Sequence, residues 1–331
     1  MGVKLGNTDK IIPIGYLGST PIYKSYLGET PISPDTPGTT YIQATGGTIT
    51  FDGDFKIHTF TSGTGSFAIS AVPTYGARRF MEVLVVAGGG AGSYPSAGGA
   101  GGVVYIPLES YLYEAVSGSN QVVVGTGGVA DKTFPFSTAA TSGSNSWISG
   151  SLTYLLAVGG GSGEPFATPS RNGGSGGGES KDAALQPLQS GLSGLYGYGN
   201  SGYTGSESSE FSGYGGGGAT QQGQYEANPI KGWDGGDGIQ IDITGTPTYY
   251  GGGGGGAGLD NPGNLPSLAG IGGLGGGGNG SYHPSSTTTV PAQDGTPNTG
   301  GGGGGGGGYS VTDLSGNGGS GVVIIRYRYK N

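Results

Sequence analysis

Cysteine is absent from this chain of 331 residues. Its absence excludes disulfide bonds, cysteine-ligated metals and thiolate catalysis, so packing and hydrogen bonds must stabilise the fold. Basic residues are scarce as well: 13 Lys and Arg stand against 21 Asp and Glu, which gives a net charge of −8. Because no basic stripe runs along the chain, nucleic acid is not an expected partner.

Long apolar runs and helical patterns are also missing. No stretch approaches the roughly 20 apolar residues of a membrane helix, so no membrane insertion is expected. The first thirty residues contain no continuous apolar segment of the secretory-signal type. A chain without such a segment could leave its cell by lysis, inside a virus particle. No long segment has apolar residues at 3.6-residue spacing, and essentially no α-helix is predicted.

Glycine is the abundant residue, with 82 copies beside 19 prolines and no collagen-like period. This composition is typical of low-complexity or disordered chains, because glycine loses more backbone freedom on folding than any other residue. Apolar, β-branched runs nevertheless interrupt the glycines at residues 83–86, 122–124 and 322–325. Disordered chains lack such runs, so the sequence predicts an ordered protein.

The N-terminal segment, residues 1–38, contains a repeat. Residues 16–22 (YLGSTPI) return as residues 26–32 (YLGETPI). Each copy alternates apolar and polar residues around a turn signal, which predicts short strands joined by tight turns. Because so short a segment cannot bury a core alone, we expect it to form a homo-oligomer, with a trimer favoured, or to dock on another protein. Prolines and a glycine at 33–38 then indicate a linker.

Residues 39–86 predict a β-strand platform of the sandwich type. An Asp52-Gly53 dipeptide lies between the alternating runs 48–51 and 55–60, which is a strong hairpin signal. Residues 81–86, apolar except for Glu82, predict a strand that leads directly into glycines.

Residues 87–331 predict a glycine-rich domain closed by a C-terminal strand at 321–329. Glycine has no side chain to pack, but each residue keeps a donor and an acceptor that are costly to bury unpaired. A polyproline-II-type helix has three residues per turn and no internal hydrogen bonds, so its amides can bond neighbouring segments. The sequence therefore predicts an all-β fold in which glycine runs form a polyglycine-II bundle. Seven interspersed residues are expected to face outward from it: Ala91, Ala97, Ala100, Ser175, Ala257, Leu274 and Asn279.

The ordered motifs at residues 47–50, 58–60, 81–90, 122–128 and 318–327 resemble the glycine-rich domain of bacteriophage tail-fibre and related virion appendage proteins. The resemblance covers roughly residues 41–329. It implies a β-rich platform carrying a polyglycine-II bundle whose apical loops recognise a host surface.

The expected function is a virion structural protein, either a tail fibre or a fibre-tip adhesin, with a head fibre or capsid decoration protein as the alternative. The N-terminal repeat also looks like the opening segment of phage virion proteins. Implied partners are other virion proteins through the N-terminus and a host surface glycan or outer-membrane protein. The implied location is the virion, after synthesis in the host cytoplasm.

Few residues favour catalysis. The chain has two histidines, His58 in a predicted strand and His283 in a predicted loop, and neither position requires a catalytic role. The acid pairs Asp52 with Asp54 and Asp234 with Asp237 could serve glycan hydrolysis or calcium binding, but turn formation explains them more simply. We therefore predict no enzyme, no catalytic residue, no metal and no cofactor, and keep a glycan-degrading tailspike as the alternative from another class.

Aromatic residues in irregular segments give the strongest binding signal. Tyrosine among serine, glycine and asparagine is the composition of recognition loops, and aromatic faces can stack on sugar rings. A second interpretation is that the rings pack on exposed glycine backbone, and the sequence leaves both open. The candidate surface-loop residues are Tyr196, Tyr198, Tyr203, Phe211, Tyr214, Tyr225, Trp233, Tyr249, Tyr250, Tyr282 and His283.

Overall fold

The structure, a computed structural model, is described here for the parts of the chain whose placement is defined. These are residues 41–73, 76–130, 140–164, 171–178, 185–203, 213–225, 227–228, 230–258, 266–285, 288–307 and 315–330, together with the backbone of residues 16–17, 20–21, 25–27 and 30–32. The predicted all-β fold is confirmed. One short α-helix, Leu192–Leu195, occurs in these residues, together with two 3-10 turns, Ala77–Arg79 and Leu108–Ser110. None of the described helices has the length and apolar character needed to span a bilayer.

Nineteen strands are described. They are β1 (Tyr16–Leu17), β2 (Thr20–Pro21), β3 (Ser25–Leu27), β4 (Thr30–Ile32), β5 (Gln43–Thr45), β6 (Thr48–Asp52), β7 (Phe55–Phe60), β8 (Gly63–Ala71), β9 (Glu82–Val86), β10 (Val103–Ile106), β11 (Gly118–Val124), β12 (Ser146–Gly150), β13 (Leu155–Ala157), β14 (Gly197–Tyr198), β15 (Ile239–Ile241), β16 (Thr248–Tyr250), β17 (Tyr282–Ser285), β18 (Thr288–Val290) and β19 (Val322–Arg328).

The N-terminal repeats form the short paired strands that their sequence predicts. In the first copy Leu17 pairs with Thr20, and in the second Leu27 pairs with Thr30, both antiparallel. The linker at 33–38 lies outside the described residues.

Two antiparallel sheets form a sandwich. The first has the order β14-β10-β9-β19-β7-β6 and the second the order β13-β12-β11-β8-β5. Strands β6 and β7 form the predicted hairpin, in which Asp52 pairs with Phe55. Gly53, the first residue of the two-residue turn, has a φ of 55°, a conformation that glycine adopts without strain. Strands from both predicted segments, 39–86 and 87–331, share the six-stranded sheet, because β19 lies between β9 and β7.

The main core lies between the two sheets. Val85 and Ile325 of the six-stranded sheet belong to one buried cluster with Phe67, Val122 and Ile148 of the five-stranded sheet. Each of these side chains is almost completely removed from water, which provides the main driving force for this region.

The six-stranded sheet is buried on its other face as well. Val83 and Val85 of β9 point into the main core, whereas Leu84 and Val86 belong to a second cluster covered by Ile241 of the β15–β16 hairpin. Burial of both faces explains why residues 83–86 are continuously apolar instead of alternating.

His58 is buried in β7, in agreement with its interpretation as a structural residue. Its Nδ1 lies 2.6 Å from the carbonyl oxygen of Gly46, and its Nε2 lies 2.9 Å from the Tyr327 hydroxyl. Burial lowers the pKa of the imidazole, and the Gly46 carbonyl partly opposes that shift.

Glycine-rich segments continue directly from the sandwich strands. Segments 87–92, 125–128 and 251–257 follow β9, β11 and β16, while segments 98–102 and 315–321 precede β10 and β19. Because these strands are paired, the glycine segments that adjoin them lie side by side in one bundle.

Hydrogen bonds in the bundle repeat every three residues. Three successive N–H groups along residues 88–93 donate to three different neighbouring segments. The fourth N–H group donates to the same segment as the first. The donor and acceptor pairs are Gly88 to Ser144, Gly89 to Gly319, Gly90 to Gly99, Ala91 to Thr141, Gly92 to Gly316 and Ser93 to Ser96, at 2.8–3.1 Å. A period of three with bonds only to other segments is the pattern of a polyglycine-II helix.

The carbonyl groups of the same segment accept from three further neighbours. These bonds run from Gly160 to Gly88, Gly128 to Gly89, Gly303 to Gly90, Gly163 to Ala91 and Gly306 to Ser93. The segment at 301–307 is bonded in turn to the segment at 252–256, through Gly302 to Gly252 and Gly305 to Gly255. Segment 88–93 is thus bonded on six sides, and the polyglycine-II bundle is confirmed.

Close approach of these backbones requires glycine. A Cβ added to Gly89 would lie 2.1 Å from the carbonyl oxygen of Gly301, and one added to Gly98 would lie 2.0 Å from that of Gly90. These separations are much shorter than van der Waals contact. A side chain at either position would therefore push the segments apart and break the hydrogen bonds between them.

The expectation that the interspersed residues face outward is wrong for most of them. Leu274 is exposed as expected and Asn279 is partly exposed, but five others are buried: Ala91, Ala97, Ala100, Ser175 and Ala257. The bundle therefore has internal spaces the size of one small side chain; Ala91, for example, packs with Ala130 and Ala140.

Candidate functional site

Four of the predicted aromatic residues form one cluster around Trp233. The ring centroids of Tyr203, Tyr214 and Tyr225 lie 4.3, 4.7 and 5.1 Å from that of Trp233, each in an edge-on arrangement. Tyr203 and Tyr225 stack on each other with centroids 5.7 Å apart and planes inclined by 29°. Edge-on and offset-stacked pairs are the favoured geometries of aromatic rings.

The backbone of the bundle holds this cluster in place. The Trp233 N–H donates to Gly213 O at 3.0 Å, and the Trp233 carbonyl accepts from Gly256 N–H at 2.8 Å. Tyr214 precedes a glycine segment in the same layer, and its carbonyl accepts from Ala97 N–H. The indole is 1% exposed, so it forms a rigid base for the more exposed rings.

An open cleft of about 790 Å³ adjoins the cluster. Its lining consists of two tyrosines, one glycine and five polar uncharged residues: Asn200, Tyr203, Thr220, Gln221, Gln222, Gly223, Gln224 and Tyr225. Tyr225 is 51% exposed and presents the most accessible ring of the cluster.

Hydrogen bonds to the bundle fix two of the polar lining residues. Asn200 Nδ2 donates to the carbonyls of Gly218 and Ala219, at 3.1 and 2.9 Å. Thr220 Oγ1 donates to the carbonyls of Asp237 and Gly238, at 3.1 and 3.0 Å. These bonds to backbone carbonyls of the bundle hold both side chains in place, so this part of the cleft has a defined shape.

The glutamines are more exposed and bond mainly to one another and to the cleft edge. Gln224 Nε2 donates to Gln221 Oε1 at 3.0 Å, and Ser201 Oγ donates to Gln222 Oε1 at 3.4 Å. These glutamines were not among the residues predicted from the sequence, although the Gln-Gln-Gly-Gln-Tyr run at 221–225 lies between glycine segments and could have indicated them.

The other predicted site residues lie elsewhere. Tyr196 packs against the main core, Tyr198 and Tyr250 belong to the second core, and Tyr249 lies beside Tyr250 in β16. Tyr282 and His283 lie in β17, and Phe211 is outside the described residues. The structure therefore does not bring all of the predicted residues into one site.

The placement of Tyr214, Trp233, Tyr250 and His283 in exposed loops is wrong. Their exposure is 8%, 1%, 5% and 5%. These side chains are therefore not available as an exposed recognition surface; Tyr250, for example, packs among the apolar side chains of the second core. Burial also raises the pKa of the Tyr250 phenol, since the charged form is poorly solvated there.

The acidic residues Asp234 and Asp237 have a role other than the expected turn. Asp234 Oδ1 accepts from Ile271 N–H at 2.7 Å, and Asp237 Oδ1 accepts from Leu274 N–H at 2.8 Å. The three-residue offset matches the bundle period, so each carboxylate accepts a hydrogen bond at a position where a backbone carbonyl accepts inside the bundle. Asp234 is also paired with Lys231 at 2.8 Å. Within the described residues, no group of three or more His, Asp or Glu side chains could hold a metal ion.

Comparison with known proteins gives one result. Residues 60–328 match the model of a protein family described as a glycine-rich domain. The match covers most of the chain, so the chain belongs to this glycine-rich domain family. No curated protein matches it significantly.

Proposed function

We propose that this member of the glycine-rich domain family is a structural appendage protein of a bacteriophage virion, a tail fibre or fibre-tip adhesin that contacts the host cell surface without catalysis. The observation that carries the proposal is the cleft lined by Asn200, Tyr203 and residues 220–225, where an exposed tyrosine and several amides lie on the glycine bundle. Rigid presentation of tyrosine and amide groups is the chemistry of recognition surfaces, since little conformational entropy is lost on binding.

Two further features support the proposal. The ordered motifs of the chain resemble those of virion appendage proteins, as set out above. The N-terminal hairpins are too short to form a core alone, which suits attachment to other virion proteins and assembly into a homo-oligomer, with a trimer favoured.

The proposal is tested by locating the chain on purified phage particles whose genome encodes it. Gold-labelled antibody raised against the full chain, viewed by electron microscopy, is expected at the distal end of the tail. Labelling of the head would replace the adhesin with a head fibre or decoration protein. Absence of the chain from the particles would overturn the proposal.

A functional test complements the location. Added full-length chain is expected to compete with particles for adsorption to host cells, and the Tyr225→Ala variant to compete less well. Release of oligosaccharides from host capsule by the purified chain would instead favour a glycan-degrading tailspike.

A further inference from the structure

We infer that the cleft beside Trp233 binds an uncharged glycan, with a sugar ring stacked on Tyr225 and its hydroxyl groups bonded to the glutamines. This inference rests on the proposed function and names the ligand class for the same site.

Charge determines the class of glycan. Among the described residues, the eight that line the cleft include no Asp, Glu, Lys, Arg or His. Lys231, the basic residue near Trp233 in the chain, is already paired with Asp234 at 2.8 Å. A sialic acid, uronic acid or phosphate group would therefore lose its hydration here without gaining a cationic partner from the described lining, and the net charge of −8 would repel it further.

Ring geometry provides the stacking surface. Tyr225 is held from one side by Tyr203 and from below by Trp233, and it still exposes 51% of its surface. The face of an aromatic ring is electron-rich, and the C–H groups on one side of a pyranose are weakly positive. A ring braced in this way loses little rotamer freedom when a sugar covers it.

The amide groups match sugar hydroxyls, which both donate and accept hydrogen bonds. Among the described residues, Gln222 Nε2 and Gln224 Oε1 have no hydrogen-bond partner in the protein, whereas the opposite ends of both amides are held by Ser201 and Gln221. The cleft thus has one free amide donor, on Gln222, and one free amide acceptor, on Gln224, and the hydrogen bond at the other end of each amide orients its plane.

The inference also fits the size of the cleft. A volume of about 790 Å³ lies within the roughly 300–1,000 Å³ range of small-molecule sites and accommodates a few sugar rings. Because the cleft is open, a longer glycan chain can continue beyond it into solvent.

The test measures binding of defined sugars to the full chain. The protein contains two tryptophans, Trp147 and Trp233, so the Trp147→Phe variant makes Trp233 the reporter of the cleft. Titration with neutral oligosaccharides of glucose, galactose and N-acetylglucosamine is expected to give a saturable change in Trp233 fluorescence for at least one of them. Oligosaccharides ending in sialic or uronic acid are expected to bind at least about tenfold more weakly.

Matched variants separate binding from folding. Tyr225→Ala is expected to weaken binding about tenfold, and Gln222→Ala less. Tyr154→Ala is the control, since Tyr154 is 52% exposed but is not part of the cleft lining, and it should leave affinity unchanged. Circular dichroism of all three variants should match the parent.

Several outcomes would overturn the inference: no saturable binding of any neutral sugar, equal binding to the Tyr225→Ala variant, a preference for anionic sugars, or binding of a purified outer-membrane protein that depends on Tyr225. If the chain labels the tail tip but binds no neutral sugar, the glycan inference falls and the appendage proposal stands. If neutral sugars bind but the chain is absent from particles, the appendage proposal falls and the glycan inference stands.

Discussion

The sandwich and the glycine bundle satisfy the same backbone hydrogen-bonding groups in different ways. A strand such as β9 bonds to two neighbours in one plane and uses Leu84 and Val85 to fill the space above and below. The segment at 88–93 bonds to neighbours on six sides and has almost no side chains to place. A single chain passes from one arrangement to the other within a few residues of Val86.

The difference determines how each region can be damaged. In the sandwich, side chains occupy the space between sheets, so removing atoms leaves a cavity. In the bundle, backbone occupies nearly all the space, so adding atoms prevents contact. The two regions should therefore respond in opposite ways to changes in side-chain size.

Adding one methyl group inside the bundle should have the largest effect. In the Gly98→Ala variant the new Cβ would lie 2.0 Å from Gly90 O and 2.8 Å from Ala91 O. These are backbone atoms with no alternative rotamer, so we expect a loss of more than about 5 kcal/mol of stability, above the ~1–3 kcal/mol typical of overpacking. Chemical denaturation followed by circular dichroism measures the effect.

Gly53→Ala is the control for that variant. Gly53 has a φ of 55° but nothing within 4 Å of the added Cβ, so only the backbone strain of about 1–2 kcal/mol applies. Equal losses for the two variants would show that close packing does not stabilise the bundle.

Removing a large side chain from the sandwich should have the next largest effect. Phe67 is fully buried between the sheets, and Phe67→Ala is expected to cost about 3–5 kcal/mol through lost burial and a new cavity. The same change at Phe51, which is 60% exposed, should cost under about 1 kcal/mol. Denaturant midpoints for both variants test this, and similar midpoints would contradict the assignment of the core.

Local sequence patterns predicted much of the fold. The Asp52-Gly53 turn and the repeat at 16–32 form the elements that their patterns indicate, because the relevant interactions lie within a few residues. The apolar run at 83–86 also forms the strand that its pattern indicates, although its partner strands β10 and β19 come later in the chain. The bundle was predictable for a related reason, since a glycine run has few other ways to satisfy its backbone.

The neighbours of each glycine segment could not be predicted. Segment 88–93 lies beside segments as distant as 303–306 and 316–319, and all of these runs look alike in sequence. Without side chains there is no pattern to distinguish one partner from another. The burial of Ala97 and Trp233 could not be predicted for the same reason, because whether a residue faces water depends on which segments surround it.

A substitution at the surface of the bundle should have the smallest effect on stability. A surface segment lacks a neighbour on one side, and Asp237 supplies the missing acceptor for Leu274 N–H at 2.8 Å. Asp237→Ala should cost about 1 kcal/mol, since water can partly replace the carboxylate at this exposed amide. Asp237→Asn retains an acceptor oxygen and should cost less. Hydrogen exchange at the Leu274 amide should quicken in the alanine variant and remain slow in the asparagine variant; equal exchange in both would show that the side chain does not replace a bundle carbonyl.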